Sequence, residues 1–216
     1  EFNIEVDNLW LPDVFGYSAA LPQILKKSGV NYFLTQKLSW SQYNEFPHHT
    51  FNWRGIDGTE ILTHFPPENT YNSELDTQFL VPAQDHFKEK AYLNEFISLF
   101  GVGDGGGGPK PENVELGRRM ANLESSPKVS FDTAKNFFDR LNNHKDEMET
   151  WVGELYLELH RGTLTTHGLV KKQNRKLENK LRNVEILWSC LSMQDYPLKE
   201  LDVLWKKLLI NQFHDI

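Results

Sequence analysis

Residues 9–36 read LWLPDVFGYSAALPQILKKSGVNYFLTQ, an order that predicts a strand, a helix and a second strand. The apolar strand ends at Leu11, and apolar residues then recur at helical spacing over 18–27. Gly29 suits the end of that helix, and 31–36 make the next short apolar run. Strand, helix and strand in such close succession predict a βαβ unit and a parallel sheet.

The rest of the chain divides into an aromatic part and a helical part. Residues 40–71 are rich in aromatics, His and Pro, and we expect loops and edge strands there, with a β-rich run at 59–65. A further strand is predicted at 96–100. Helical spacing predicts helices over 132–141, 169–191 and 198–213.

These elements predict an α/β fold in which part of a (β/α) barrel-like, parallel-sheet domain is followed by an α-helical bundle. The polar stretch 142–146 marks the expected boundary. The predicted domains are therefore residues 1–146 and 147–216.

Composition narrows the class of protein. The 216 residues are 39% hydrophobic and include 14 Phe and 6 Trp, enough to fill a core. A net charge of −7 without a block of basic residues argues against a nucleic-acid partner. The one cysteine, Cys190, is expected to be buried on a helix and suits a reducing compartment.

The two ends bear on location. No stretch approaches the length of a membrane span, and no signal peptide is recognisable at the start. The chain opens without Met and stops directly after a helical pattern, so both ends look cut. We expect a cytoplasmic protein with no membrane partner, and leave a vacuolar or lysosomal location and an oligomer open.

Two acidic residues follow predicted strands. Asp13 comes directly after the first strand, and active sites of parallel sheets lie at that edge, although for this motif alone a turn or cap is the commoner role of an Asp. Asp104 lies in GVGDGGGGP, 101–109, where four glycines permit close approach of a ligand. A phosphate loop is the alternative there, but the GxxxxGK[ST] pattern is absent.

A third motif closes the chain. His214 and Asp215 follow the last amphipathic helix, where His214 could bind a metal or cap the helix. His48, His49 and His64 are expected to be packing or surface residues.

Several long motifs together resemble glycoside hydrolase family 38, most closely its cytosolic, class 2C α-mannosidases. They span nearly the whole chain and comprise WLPDVFGYSAALPQIL at 10–25, FLTQKLSW at 33–40, FPHHTF at 46–51, GIDG at 55–58, THFPP at 63–67, GDGGGGP at 103–109, GELYLELHRGT at 153–163 and NQFHDI at 211–216. The resemblance implies that 1–146 are the C-terminal part of the catalytic α/β domain. It also implies that 147–216 are a truncated helical middle domain.

The resemblance also implies a mechanism. Asp13 would be the nucleophile of a retaining glycosidase and also a metal ligand, and Asp104 the acid/base about 5 to 5.5 Å away. Relatives in other branches carry paired carboxylates at that loop, whereas glycine follows Asp104 here. His214 would bind the same divalent metal, zinc or cobalt.

The remaining implied roles concern the substrate, a mannose-containing oligosaccharide. Asp215, Phe15 and Tyr71 would contact the sugar, and Lys37 stands where other branches place an Arg beside the nucleophile. The family's His-x-Asp metal motif is not found in these 216 residues. We therefore expect this length of chain alone to be inactive and to bind metal poorly.

Two alternatives remain at this point. One is a metal-dependent hydrolase of another class, such as a polysaccharide deacetylase, which also sets Asp and His at strand ends. The other is a sugar-binding or catalytically dead relative.

Overall fold

The computed structural model describes residues 4–214. The chain divides into two compact units between Leu159 and His160. The boundary after residue 146 stays a prediction. No helix among residues 4–214 is long and apolar enough to cross a bilayer.

The first unit contains a five-stranded sheet in the order β1-β2-β4-β3-β5. Its strands are β1 (Asn8–Trp10), β2 (Tyr32–Leu34), β3 (Thr50–Arg54), β4 (Glu60–His64) and β5 (Thr150–Val152). β1, β2 and β4 are parallel neighbours, β3 runs antiparallel to β4, and β5 is parallel to β3. The sheet is therefore mixed, which confirms the α/β class, while a barrel stays a prediction.

The two units contain six α-helices among the described residues. They are α1 (Leu21–Lys27), α2 (Thr77–His86), α3 (Pro111–Arg119) and α4 (Ala134–Leu141) in the first unit, and α5 (Gly168–Ser189) and α6 (Leu198–Ile210) in the second. Short 3₁₀ helices occur at Lys37–Trp40, Met120–Asn122, Asn142–Glu147, Arg161–Leu164 and Met193–Asp195. The βαβ prediction is confirmed, because α1 joins the parallel strands β1 and β2.

The two faces of the sheet bury different clusters. Alternation along a strand sends successive side chains to opposite faces. Phe33, Phe51 and Trp53 pack on one face, all fully buried. Leu34 and Leu62 belong to the second cluster, which includes Phe137, Phe138 and Leu141 of α4. Both faces are covered, as a sheet with parallel strands requires.

Two predictions about strands are wrong. Residues 96–100 form no ladder; Phe100 makes a single bridge with Ser73, and the N–H of Ile97 points to the His64 side chain at 3.4 Å. The hairpin β3–β4 is not at an edge, since each of its strands has a neighbour on both sides. Its nearly continuous burial reflects that central place.

The second unit pairs α5 with α6 around Leu181, Leu201 and Leu208. Both helices match the predicted positions to within a few residues, and a helical bundle stays a prediction. Cys190 is exposed at the end of α5, so its predicted burial is wrong.

The loop that follows β1 is tied down by Tyr17. Its hydroxyl donates to the carbonyl of Leu11 at 2.7 Å and lies 2.6 Å from the hydroxyl of Thr35, which donates in turn. The backbone of Tyr17 exchanges two hydrogen bonds with Leu155, at 2.9 and 3.0 Å. These bonds fix both ends of the loop that carries Asp13.

We predict that Tyr17→Phe destabilises the first unit. Removal of the hydroxyl leaves the carbonyl of half-buried Leu11 and the hydroxyl of buried Thr35 without this partner, which costs about 1–3 kcal/mol. Urea unfolding followed by tryptophan fluorescence measures the loss. The matched control is Tyr156→Phe, an exposed phenol, which should change stability by less than about 0.5 kcal/mol. Equal stability of the two variants would contradict the role of the Tyr17 hydroxyl.

Candidate active site

Asp13 and Lys37 meet beyond the ends of two neighbouring parallel strands. Asp13 follows β1, and Lys37 opens the 3₁₀ helix after β2. The Lys37 ammonium lies 2.5 Å from Oδ1 of Asp13; the lysine side chain is 4% exposed and the aspartate 43%. A nearly buried cation is thus paired with a carboxylate that a ligand can reach.

Tyr71 connects this pair to Asp104. The Tyr71 hydroxyl donates to Oδ1 of Asp104 at 3.3 Å. Burial, then the negative charges of Asp13 and Asp104, raise the pKa of Tyr71 to about 12. A hydrogen bond from the phenol to either carboxylate acts in the same direction, because it favours the protonated phenol. The structure therefore brings Asp13, Lys37, Tyr71 and Asp104 together.

The glycine loop is shaped around Tyr71. The N–H of Gly103 donates to the side-chain oxygen of Asn72 at 2.7 Å, and a Cβ at Gly103 would overlap the Tyr71 ring. Asp104 itself has a φ of 50°, in the left-handed region, and Gly105 follows at 123°. Only a loop with small residues and positive φ can present Asp104 in this way.

Two aromatic rings border the Lys37 ammonium. The Nζ atom lies 5.2 Å from the centroid of Phe15, a predicted site residue, and 3.2 Å from that of Trp40. Sequence reasoning missed Trp40. The signal for it was its spacing from Lys37, which one turn of 3₁₀ helix brings to the same side.

The last two candidates, His214 and Asp215, lie at the C-terminal end of the sequence, far from Asp13 and Asp104 in residue number. His214 follows α6 in the second unit, with its ring 4.4 Å from that of Phe213. Asp215 lies outside the described residues.

A complete metal centre is not found in the part of the chain that the structure describes. Among residues 4–214, no three His, Cys, Asp or Glu side chains are grouped so that they could hold a metal ion. Asp13 offers carboxylate oxygen, a suitable donor for a divalent ion, but its Oδ1 is already paired with Lys37. The described residues therefore do not fit a complete metal centre.

The histidines near β3 and β4 have structural roles, as expected. His64 is fully buried, with Nδ1 2.8 Å from the hydroxyl of Thr50, and burial holds its pKa well below the usual value. His49 accepts the N–H of Lys88 at 3.1 Å, and burial lowers its pKa to about 4. The packing prediction for these two histidines is confirmed.

We predict that Gly103→Ala displaces Tyr71 or the Asp104 loop, because the new methyl group would overlap the phenol ring. The result should be a loss of stability of about 1–3 kcal/mol and a changed near-ultraviolet circular dichroism of tyrosine. Gly108→Ala is the matched control, since a Cβ at Gly108 meets nothing within 4 Å. If both variants behave alike, Gly103 does not accommodate Tyr71.

We also predict that Asp104→Asn lowers the pKa of Tyr71 from about 12 towards its ordinary value of 10.0. The folded phenol holds its proton more tightly than the unfolded one, so its stabilising contribution is present below pH 10 and lost as the pH rises through about 12. Ultraviolet difference titration measures the phenol, with Tyr71→Phe as the blank. Asp57→Asn, in a distant turn, should leave the titration unchanged.

The chain matches two sequence families. Residues 1–154 match the N-terminal domain of glycosyl hydrolases family 38, and residues 158–216 match the alpha mannosidase middle domain. Alpha-mannosidase 2C1 of Homo sapiens is 44% identical over 220 residues, and alpha-mannosidase G of Dictyostelium discoideum is 44% identical over 217. The alpha-mannosidase of Saccharomyces cerevisiae is 40% identical over 229.

All three alignments cover 100% of this chain but 20–21% of the relative, so the chain spans about a fifth of the length of the curated relatives it matches. Among solved structures, an alpha-mannosidase from Enterococcus faecalis V583 superposes with a TM-score of 0.62 at 17% identity. That alignment covers 97% of this chain and 26% of the other, and it supports the fold. Since the family match spans well over half of the residues, the chain belongs to glycosyl hydrolase family 38.

Proposed function

We propose that the protein acts as a retaining α-mannosidase. Its substrate would be terminal α-linked mannose on free oligosaccharides or on glycans derived from N-glycans. The names of the relatives support the activity, and the family supports the reaction class. A cytoplasmic location is proposed with it, on the resemblance to the cytosolic class.

The observation that carries the proposal is the meeting of Asp13 and Asp104 at Tyr71. Glycoside hydrolysis requires two carboxyl groups beside one bond, and these two come from loops far apart in the sequence. Tyr71 is a neighbour of both carboxylates, which supports the proposal that they act on one bond.

Asp13 suits the nucleophile. One of its oxygens is held by Lys37, while the side chain as a whole is 43% exposed. The second oxygen, on a side chain that a substrate can reach, would attack the anomeric carbon, form the mannosyl ester and break the glycosidic bond.

Asp104 suits the acid/base because it is exposed in a loop rather than paired with a cation. It would give its proton to the departing oxygen in the first step. In the second step it would take a proton from water as the water attacks the same carbon, which releases Asp13. Tyr71, Phe15, Lys37 and Asp215 are proposed to contact the sugar.

A divalent ion, zinc or cobalt, is also proposed, with Asp13 and His214 among its ligands. Such an ion would act as a Lewis acid towards sugar hydroxyls. The described residues supply no group of three ligands, so the roles of Asp13 and Asp104 are derived without the ion.

We predict that Asp13→Asn in the product of the complete gene lowers kcat for aryl α-mannosides on the order of 10⁴-fold. A 2-fluorinated mannosyl fluoride should label Asp13 in the unaltered protein, as mass spectrometry of the peptides would detect. Asp104→Asn should lower kcat by about 10²–10⁴-fold for poor leaving groups and much less for good ones, which need no proton.

Asp57→Asn, in an exposed turn, serves as the control and should keep full activity. Activity without any label at Asp13 would instead support a hydrolase of another class. Binding of mannosides without turnover would support a catalytically dead relative.

A further inference from the structure

Trp40 makes a close contact with the ion pair of the site. The Lys37 ammonium lies over the indole ring, 3.2 Å from its centroid, while it is 2.5 Å from Oδ1 of Asp13. The ring is 49% exposed. Phe15 borders the same ammonium at a longer distance, 5.2 Å.

The flexible side chain of Lys37 needs contacts with neighbouring residues to fix the position of its ammonium. Its ammonium is a point charge on four flexible methylenes, whereas a guanidinium would fix its own orientation by its planar fork. The face of an indole attracts a cation most strongly among the aromatic rings. The face of the Trp40 indole can therefore hold the Lys37 ammonium in one position.

The backbone beyond Trp40 is fixed by other residues. Glu158 accepts the N–H groups of Tyr43 and Asn44 at 3.2 and 2.7 Å and the side-chain amide of Asn44 at 2.6 Å. The N–H of Glu158 donates to the hydroxyl of Ser41 at 3.3 Å. Replacement of the indole should therefore leave the path of this segment intact.

We propose that Trp40 is a positioning residue, whose indole holds the Lys37 ammonium on one oxygen of Asp13 and so keeps the other oxygen turned towards the sugar. This inference rests on the proposed role of Asp13 as nucleophile. Trp40 acts through Lys37 and takes no part in bond formation itself.

A double-mutant cycle in the product of the complete gene tests it. Trp40→Leu should lower kcat about tenfold, with KM within about twofold, because the nucleophile is less often in the reactive orientation. Trp40→Phe should restore most of the rate, since a benzene face also binds a cation. In a Lys37→Met background, Trp40→Leu should lower kcat by less than twofold. Tyr43→Leu, an exposed aromatic change in the same segment, is the matched control and should have no effect.

An equal fall in kcat in both backgrounds would overturn the inference. A rise in KM that is the same in both backgrounds would also overturn it, and would indicate that the indole stacks on the sugar instead.

A second measurement is independent of activity. In NMR spectra of the product of the complete gene, the ε-methylene of Lys37 should be shifted upfield by the indole ring and should return to the ordinary lysine position in Trp40→Leu. An unshifted resonance in the unaltered chain overturns the inference. If Asp13→Asn proves fully active while this shift is present, the proposed function fails and the contact between Trp40 and Lys37 stands.

Discussion

The ion pair of Lys37 with Asp13 constrains the site more than any other contact. Its two residues follow the parallel strands β1 and β2, so the sheet itself brings their backbones to one edge. The lysine is almost fully buried, and a buried ammonium requires a partner that balances its charge. Removal of either charge leaves the other without this compensation, and loss of the carboxylate is the more serious change because the cation is the buried member.

The second carboxylate, that of Asp104, is held near the same edge of the sheet by hydrogen bonds involving neighbouring residues. β4 is the next parallel neighbour, and the chain beyond it leads to Tyr71, whose hydroxyl reaches Asp104. Asn72 holds the glycine loop from the same turn, by its bond to Gly103. The position of Asp104 thus depends on the end of β4 as well as on its own loop, and the glycines allow the approach.

Part of this arrangement could be predicted from the sequence. The βαβ unit was predictable because the apolar runs and Gly29 are local signals. The Asp57-Gly58 pair is an equally local signal for the turn between β3 and β4, where Gly58 has a φ of 85°. The central place of β3 and β4 was not predictable. Each strand contains a buried polar residue, Asn52 in β3 and His64 in β4, and such residues are more typical of an exposed or edge strand.

The strand predicted at 96–100 was wrong because strand pairing, like the order of strands in the sheet, is not a local property of the sequence. Residues 96–100 are mostly apolar, as in a buried strand. However, the N–H of Ile97 donates to the His64 side chain, and Phe100 makes only one bridge, with Ser73, instead of a ladder with a neighbouring strand. Periodicity reports which residues are buried and contains no information about which strand lies beside them. The contact of Trp40 with Lys37 was missed because it forms across a 3₁₀ turn. The segment after Trp40 is also held by Glu158, which is far away in the sequence.

The charges of the site also bear on its chemistry. Two carboxylates, Asp13 and Asp104, act on Tyr71, whereas one ammonium, that of Lys37, is paired with Asp13. Burial first, and then this local excess of negative charge, raise the pKa of the Tyr71 phenol. The same excess favours a positively charged species placed between the carboxylates. Under the proposed function, a sugar that develops oxocarbenium character would gain such a charge only on the way to the transition state, and the site would then stabilise that state more than the neutral substrate.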